Sequence, residues 1–140
     1  MAANFYTVKT IFRCFAAGRP DKPDQFFDPD ATLVEERIQL VKAKSKEEAQ
    51  KKAEKDANEY AKRVKFFNPY NQAVTLEYTG LCEVYEIERA LSDMTEIYSN
   101  SKVMDKKITI SKIAHVYLNK KQPYNKSKRK KFINREYFHA

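Results

Sequence analysis

Asn4-Phe5-Tyr6-Thr7-Val8-Lys9-Thr10-Ile11-Phe12-Arg13-Cys14-Phe15-Ala16 is the stretch whose reading decides the fold. Tyr6, Val8, Thr10, Phe12, Cys14 and Ala16 fall on one side of a two-residue repeat. Thr7, Lys9 and Arg13 fall on the other side, with Phe5, Ile11 and Phe15 among them. Period two predicts a strand. One face is apolar and suits a core. The other is mixed, which points to a second packed layer or a dimer.

Working outward, residues 17–31 hold Gly18, Pro20, Pro23 and Pro29 with Asp21, Asp24, Asp28 and Asp30, a composition that only a loop accommodates. Its length is unusual for a compact domain and marks it as mobile or functional. Leu33 to Ala43 reads as a second strand, joined to the first as a wide hairpin. Ser45-Lys46-Glu47-Glu48 then has the form of a capping box, in which the serine oxygen takes a backbone N–H at the helix start. Ala49, Ala53, Ala57, Tyr60, Ala61 and Val64 follow at helical spacing. This predicts an amphipathic helix over 46–65 whose narrow alanine seam lies close to the sheet. Pro69 disfavours helix at Asn68, so the helix ends in Phe66-Phe67-Asn68-Pro69-Tyr70-Asn71.

Residues 73–89 form a long extended segment in which Val74, Leu76 and Tyr78 alternate. Gly80 interrupts the alternation and predicts a bulge or bend, after which Cys82 and Val84, or Leu81, Tyr85 and Ile87, take the inner face. Ser92-Asp93 is turn-like and Thr95–Ser99 resembles a return strand. Ile110, Ile113, Ala114, Tyr117 and Leu118 recur at helical spacing and favour a second helix near 109–120, while the β-branched run Ile108-Thr109-Ile110 leaves a strand as the alternative. Residues 127–138 have the pattern of a short basic helix, with Phe132, Ile133 and Tyr137 on one side.

The charge is unevenly placed. Of 27 Lys plus Arg and 19 Asp plus Glu, residues 119–140 hold 8 basic and 1 acidic side chain, a net of +7. The remaining 19 basic and 18 acidic residues leave the body at +1. A nearly neutral domain therefore carries a basic tail. The 140 residues fit one domain and one modest core. No apolar run exceeds the four residues Cys14–Ala17, which predicts neither a membrane span nor a secretory segment, and hence a cytoplasmic location. Two cysteines are too few for a disulfide framework.

The residues for several chemistries are missing. Phosphate cradles need glycines for close backbone approach, and Gly18 and Gly80 stand alone. Structural zinc needs about four Cys or His ligands. Cys14, Cys82, His115 and His139 have no paired spacing. A Cys–His nucleophilic pair would lack an oxyanion hole and an orienting group. The cysteines read as small core residues instead. Asp30 with Glu35-Glu36-Arg37 has a faint likeness to an acidic metal-nuclease pattern. The simpler reading pairs Glu35 and Arg37 on one strand face with Lys9 or Arg13 across the sheet. Glu83, Glu86 and Glu88 read as a solvated acidic stripe.

Tyr6-x-Val8-Lys9, Glu35-Glu36-Arg37-Ile38-x-Leu40-Val41-Lys42-Ala43, the Ser45–Glu48 cap with its alanine helix, Asn68-Pro69-Tyr70, Glu83-Val84-Tyr85-Glu86-Ile87 and Thr95-Glu96-Ile97-Tyr98-Ser99 occur in an order and spacing that resembles the small bacterial family called domain of unknown function 4288. The resemblance covers about residues 5–100 and implies a fold but no activity. Small families of this kind occur near mobile elements and toxin–immunity loci.

The expectation is an α+β fold: an antiparallel sheet of about four strands, one long amphipathic helix packed on a face, a second shorter helix and a basic C-terminal extension. Residues 1–118 form the domain and 119–140 the tail. The expected function is a small non-enzymatic binding module for a protein partner, toxin-, phage- or mobile-element-associated. It uses no cofactor and no metal, contacts no membrane and is a monomer or homodimer. The alternative is nucleic-acid binding through the tail. There Lys120, Lys121, Lys126, Lys128, Arg129, Lys130, Lys131 and Arg135 would contact phosphates or an acidic partner, with Tyr124 and Phe132 stacking.

Overall fold

The computed structural model describes residues 3–118. Four strands form one antiparallel sheet: β1 (Asn4–Ala17), β2 (Val34–Ala43), β3 (Lys65–Phe67) and β4 (Ala73–Ile87), in the spatial order β2-β1-β4-β3. α1 (Lys46–Arg63) joins β2 to β3 and so carries the chain from one edge of the sheet to the other across one face. Its 18 residues reach about 27 Å, enough to cross four strands. α2 (Ile110–Leu118) ends the described chain.

The alternation in β1 sets the layers. Tyr6, Val8, Phe12 and Cys14 are buried on the α1 side. Tyr6 and Val8 pack with Val41 and Ala43 of β2 and with Ala49 and Ala53 of α1. The alanine seam (Ala49, Ala53, Ala57) is sealed, and only small side chains allow that approach. Phe12 fills the middle, 5.1 Å from the Tyr60 ring and 5.5 Å from the Tyr78 ring. Ser45 caps the helix as its sequence predicts, its Oγ accepting the Glu48 N–H at 3.1 Å. The helix closes where the Val64 N–H bonds the Tyr60 carbonyl at 3.1 Å.

Gly80 sits at a bulge. Thr10 pairs with Cys82 and Phe12 with Tyr78, so Ile11 alone opposes Thr79, Gly80 and Leu81. Its φ of +83° requires glycine on backbone grounds, since a Cβ there would meet nothing within 4 Å. The bulge keeps the strand in phase. Cys82 and Val84 pack against the core under α1, while Tyr85 and Ile87 take the opposite face with their partners Thr7 and Phe5.

Two expectations need correction. The fourth strand is Lys65–Phe67 and not Thr95–Ser99. The latter segment has no ladder and instead lies across the sheet as a strap. The loop after β1 is tied down rather than loose. Tyr70 Oη donates to Asp24 at 2.7 Å, the Asp21 N–H bonds the Tyr70 carbonyl at 2.8 Å, and Gln72 Nε2 donates to the Gly18 carbonyl at 2.9 Å. Phe27 packs edge-on against Tyr70 at 4.9 Å. The turn itself is held by Asn68, whose Oδ1 accepts the N–H groups of Tyr70 and Gln72 at 3.0 Å each.

Candidate functional site

The face of the sheet away from α1 is the distinctive surface. Register assigns it Phe5, Thr7, Lys9, Ile11, Arg13 and Phe15 from β1 and Val34, Glu36, Ile38, Leu40 and Lys42 from β2. It divides into a covered part and an open part. The strap, residues 90–99, covers the first. Thr7 Oγ1 donates to the Ile97 carbonyl. Lys9 Nζ donates to Tyr98 Oη at 3.0 Å, and that hydroxyl donates onward to Glu83 at 2.9 Å. The Tyr85 and Tyr98 rings stand 6.0 Å apart. Thr7 and Ile87 are buried beneath. The bond to Tyr98 raises the Lys9 pKa; burial opposes that, and the carboxylates of Glu36 and Glu83 add to it. Lys9 is therefore a firmly charged ammonium.

The β2 side of this face, beside the strap, and its Phe15 end are apolar and uncovered. Ile38 is 47% exposed, Leu40 51%, Val34 64% and Phe15 46%. Its charges are neutralised locally: Arg13 donates to Glu77 at 2.8 Å, and Lys9 lies 3.6 Å from Glu36. A bulky aliphatic strip flanked by neutral ion pairs suits burial against another apolar surface.

The other face of β2 is bound to the helix. Glu35 accepts from Tyr60 Oη at 2.6 Å. Arg37 and Gln39 both donate to Asp56, at 2.8 and 3.0 Å, and the Arg37 guanidinium stacks 4.0 Å over the Tyr60 ring. Burial works to raise the Asp56 pKa, but the bonds from Arg37 and Gln39 and the charges of Arg37 and Arg63 outweigh it and hold the carboxyl below its ordinary value.

This arrangement decides the residues singled out in the sequence. Glu35 and Arg37 do share a face, yet their partners are Tyr60 and Asp56 of α1 rather than Lys9 or Arg13. Glu36 points to the opposite face, so the acidic pattern is split across the sheet. The Glu83–Glu88 stripe is split the same way: Glu83 pairs with Lys9 on the face away from α1 and Glu86 with Tyr6 on the helix side. Cys14 is buried and Cys82 half-buried, both on the α1 face, while His115 is exposed on α2. Burial raises the Cys82 thiol pKa and the nearby Glu54 carboxylate raises it further, partly countered by a bond with Tyr78. A nucleophilic thiol needs the reverse shift. Among the described residues no three His, Cys, Asp or Glu side chains gather where they would hold a metal. All ten tail residues, Lys120, Lys121, Tyr124, Lys126, Lys128, Arg129, Lys130, Lys131, Phe132 and Arg135, lie outside the described residues, as does the basic helix over 127–138.

Residues 5–99 match the family model described as Domain of unknown function (DUF4288). The chain belongs to this family. No curated protein and no solved structure matches it. The DUF4288 match runs from β1 through the strap, so it includes all four strands, α1, the Tyr98 contacts and the open strip. α2 and the basic tail fall beyond it. Among the described residues of this DUF4288 protein no helix is long and apolar enough to cross a membrane.

Proposed function

We propose that this domain is a non-enzymatic binding module whose protein partner docks on the uncovered β2 side of the sheet. One observation carries this reading: Ile38, Leu40, Val34 and Phe15 form an uncovered aliphatic and aromatic strip on a sheet whose other face is already sealed by α1. Leaving four large apolar side chains in water forgoes burial of roughly 25 cal/mol per Å². A partner presenting an apolar stripe, such as one face of an amphipathic helix, recovers it, as α1 does on the opposite side. The test uses the full chain as bait in its source cells, against an Ile38→Asp/Leu40→Asp variant with an unchanged melting temperature. The reading requires a stoichiometric protein that cross-links to Lys9 or Lys42 and is lost with the variant. A partner retained equally by both proteins overturns it.

A second reading, nucleic-acid binding through the tail, is favoured by the segregation of 8 basic against 1 acidic residue in 119–140. It expects RNA or DNA retention that falls steeply with salt and is lost in a chain ending at Leu118. Equal retention by both chains rejects it.

A further inference from the structure

We infer that two copies of this chain pair through the outer edge of β2, aligned so that Gln39 faces Gln39 of the second copy and the two sheets become one. This goes beyond the partner reading above and does not depend on it.

The sheet has two edges, and they differ. β3 is three residues long, a length that offers little to a passing strand. β2 is ten residues long, contains no proline, and pairs with β1 in unbroken register from Val34 to Ala43. Short length, proline, bulges and lysines are the usual means of blunting an edge; β2 uses only the last, with Lys52 bonded to the Lys42 carbonyl at its end. Its charged Glu35 and Arg37 are turned to Tyr60 and Asp56 of α1, so they do not guard the edge.

The direction of the backbone groups is fixed by two bonds. The Leu33 carbonyl accepts the Cys14 N–H at 3.0 Å, so odd-numbered residues of this strand address β1. The Lys42 carbonyl accepts from Lys52 Nζ at 3.1 Å and so addresses the outside. Directions alternate along a strand. Val34, Glu36, Ile38, Leu40 and Lys42 therefore present their N–H and C=O groups outward, and these same residues carry the open-face side chains.

Antiparallel pairing of β2 with itself must keep each face with its own kind, which restricts the alignment to same-parity partners. Centring on Gln39 sets Glu36 opposite Lys42 of the second copy and Ile38 opposite its Leu40, each relation occurring twice by symmetry. Every open-face residue over 36–42 then meets its chemical complement. Centring on Ile38 sets Glu36 against leucine and Lys42 against valine. Centring on Leu40 sets Lys42 against isoleucine. Centring on Arg37 sets arginine against arginine. Only the Gln39 alignment is complementary in both charge and apolarity. The Glu36 side chain is 55% exposed, which leaves it accessible to such a partner.

The test is light-scattering mass of the full chain across a concentration series, with Glu36→Lys and Lys42→Glu measured singly and mixed. The full chain is expected at twice the chain mass. Each single variant sets like charges opposite one another at both symmetric positions. Cross-strand charge pairs of this kind predict a dissociation constant raised by about tenfold to a hundredfold. The equimolar mixture restores complementary pairs at both positions and is expected to recover the dimer as a heterodimer. Circular dichroism establishes that each variant is folded. A full chain that stays monomeric at every concentration overturns the inference. So does a dimer that the single variants leave intact, or one that mixing fails to restore. Ile38 and Leu40 remain in place throughout, so these outcomes are independent of whether a partner binds the open strip.

Discussion

Replacing Phe12 by alanine should remove a large share of the domain's stability, and the structure allows the share to be apportioned. Phe12 is the largest of the fully buried side chains. Truncating such a residue costs about 3–5 kcal/mol through lost burial and the cavity left behind. Its ring meets Tyr60 at 72° and Tyr78 at 46°, both in favourable aromatic geometries, each contributing about 0.5–1.5 kcal/mol beyond burial. Phe12→Leu keeps most of the apolar volume and loses the two ring contacts, so it should cost about 1–3 kcal/mol. A small domain has a total of about 5–15 kcal/mol, so both variants fold in the cold. Thermal melts followed by circular dichroism should show Phe12→Ala about 12–25 °C below the parent, scaled for a domain of this size. Urea titration should give the same order with an unchanged slope. A Phe12→Ala loss below about 1 kcal/mol, or a Phe12→Leu loss equal to it, would refute the assignment of Phe12 as the packed centre between α1 and the sheet.

The Thr10 hydroxyl is fully buried with no hydrogen-bond partner. Thr10→Val removes that unsatisfied group at nearly constant volume and should raise stability by about 1 kcal/mol; a lower urea midpoint for the variant contradicts this. Asp56 has a folded pKa below its ordinary 3.8, so its contribution is present above that value and is lost as pH falls through the folded pKa. The gap in melting temperature between the parent and Asp56→Asn should therefore be open at pH 7 and close in the window below about pH 4. The gap should also narrow with salt, because the Asp56 side chain is 40% exposed. A gap that is the same at pH 7 and pH 3 argues against the Arg37–Asp56 contact.

Much of the fold is readable from local chemistry. The two-residue repeat of β1, the Ser45 cap, the alanine spacing of α1 and the glycine at the bulge each have a local cause, and each stands where its pattern places it. β3 escaped because Lys65-Phe66-Phe67 follows the helix end directly and is too short to show a period. The segment at 95–99 has strand-like composition, but what holds it are contacts from across the sheet: the Thr7 hydroxyl on the Ile97 carbonyl, and Tyr98 between Lys9 and Glu83. Those partners are about ninety residues away for Thr7 and Lys9, and composition carries no record of such distances. The anchoring of the loop by Tyr70 and Gln72 was hidden for the same reason. The one signal was Tyr70, an aromatic in an otherwise polar turn; Gln72 gave none, since glutamine is ordinarily exposed.

The candidate surface shows the same division between what one strand reveals and what only pairing reveals. Phe5, Ile11 and Phe15 already mark the second face of β1 as suited to burial. The strap covers one part of that face, and β2 carries the rest, where two alternations coincide. The register with β1 places Val34, Glu36, Ile38, Leu40 and Lys42 on the open face, and the Leu33 and Lys42 carbonyl bonds turn the backbone groups of those same residues outward. A strand arriving at this edge would extend the sheet and its open face together. The proposed partner face and the proposed second-copy edge would share Ile38 and Leu40 of β2. Substitutions at even positions of β2 should disturb assembly while leaving the fold intact, and substitutions at odd positions should loosen α1 first.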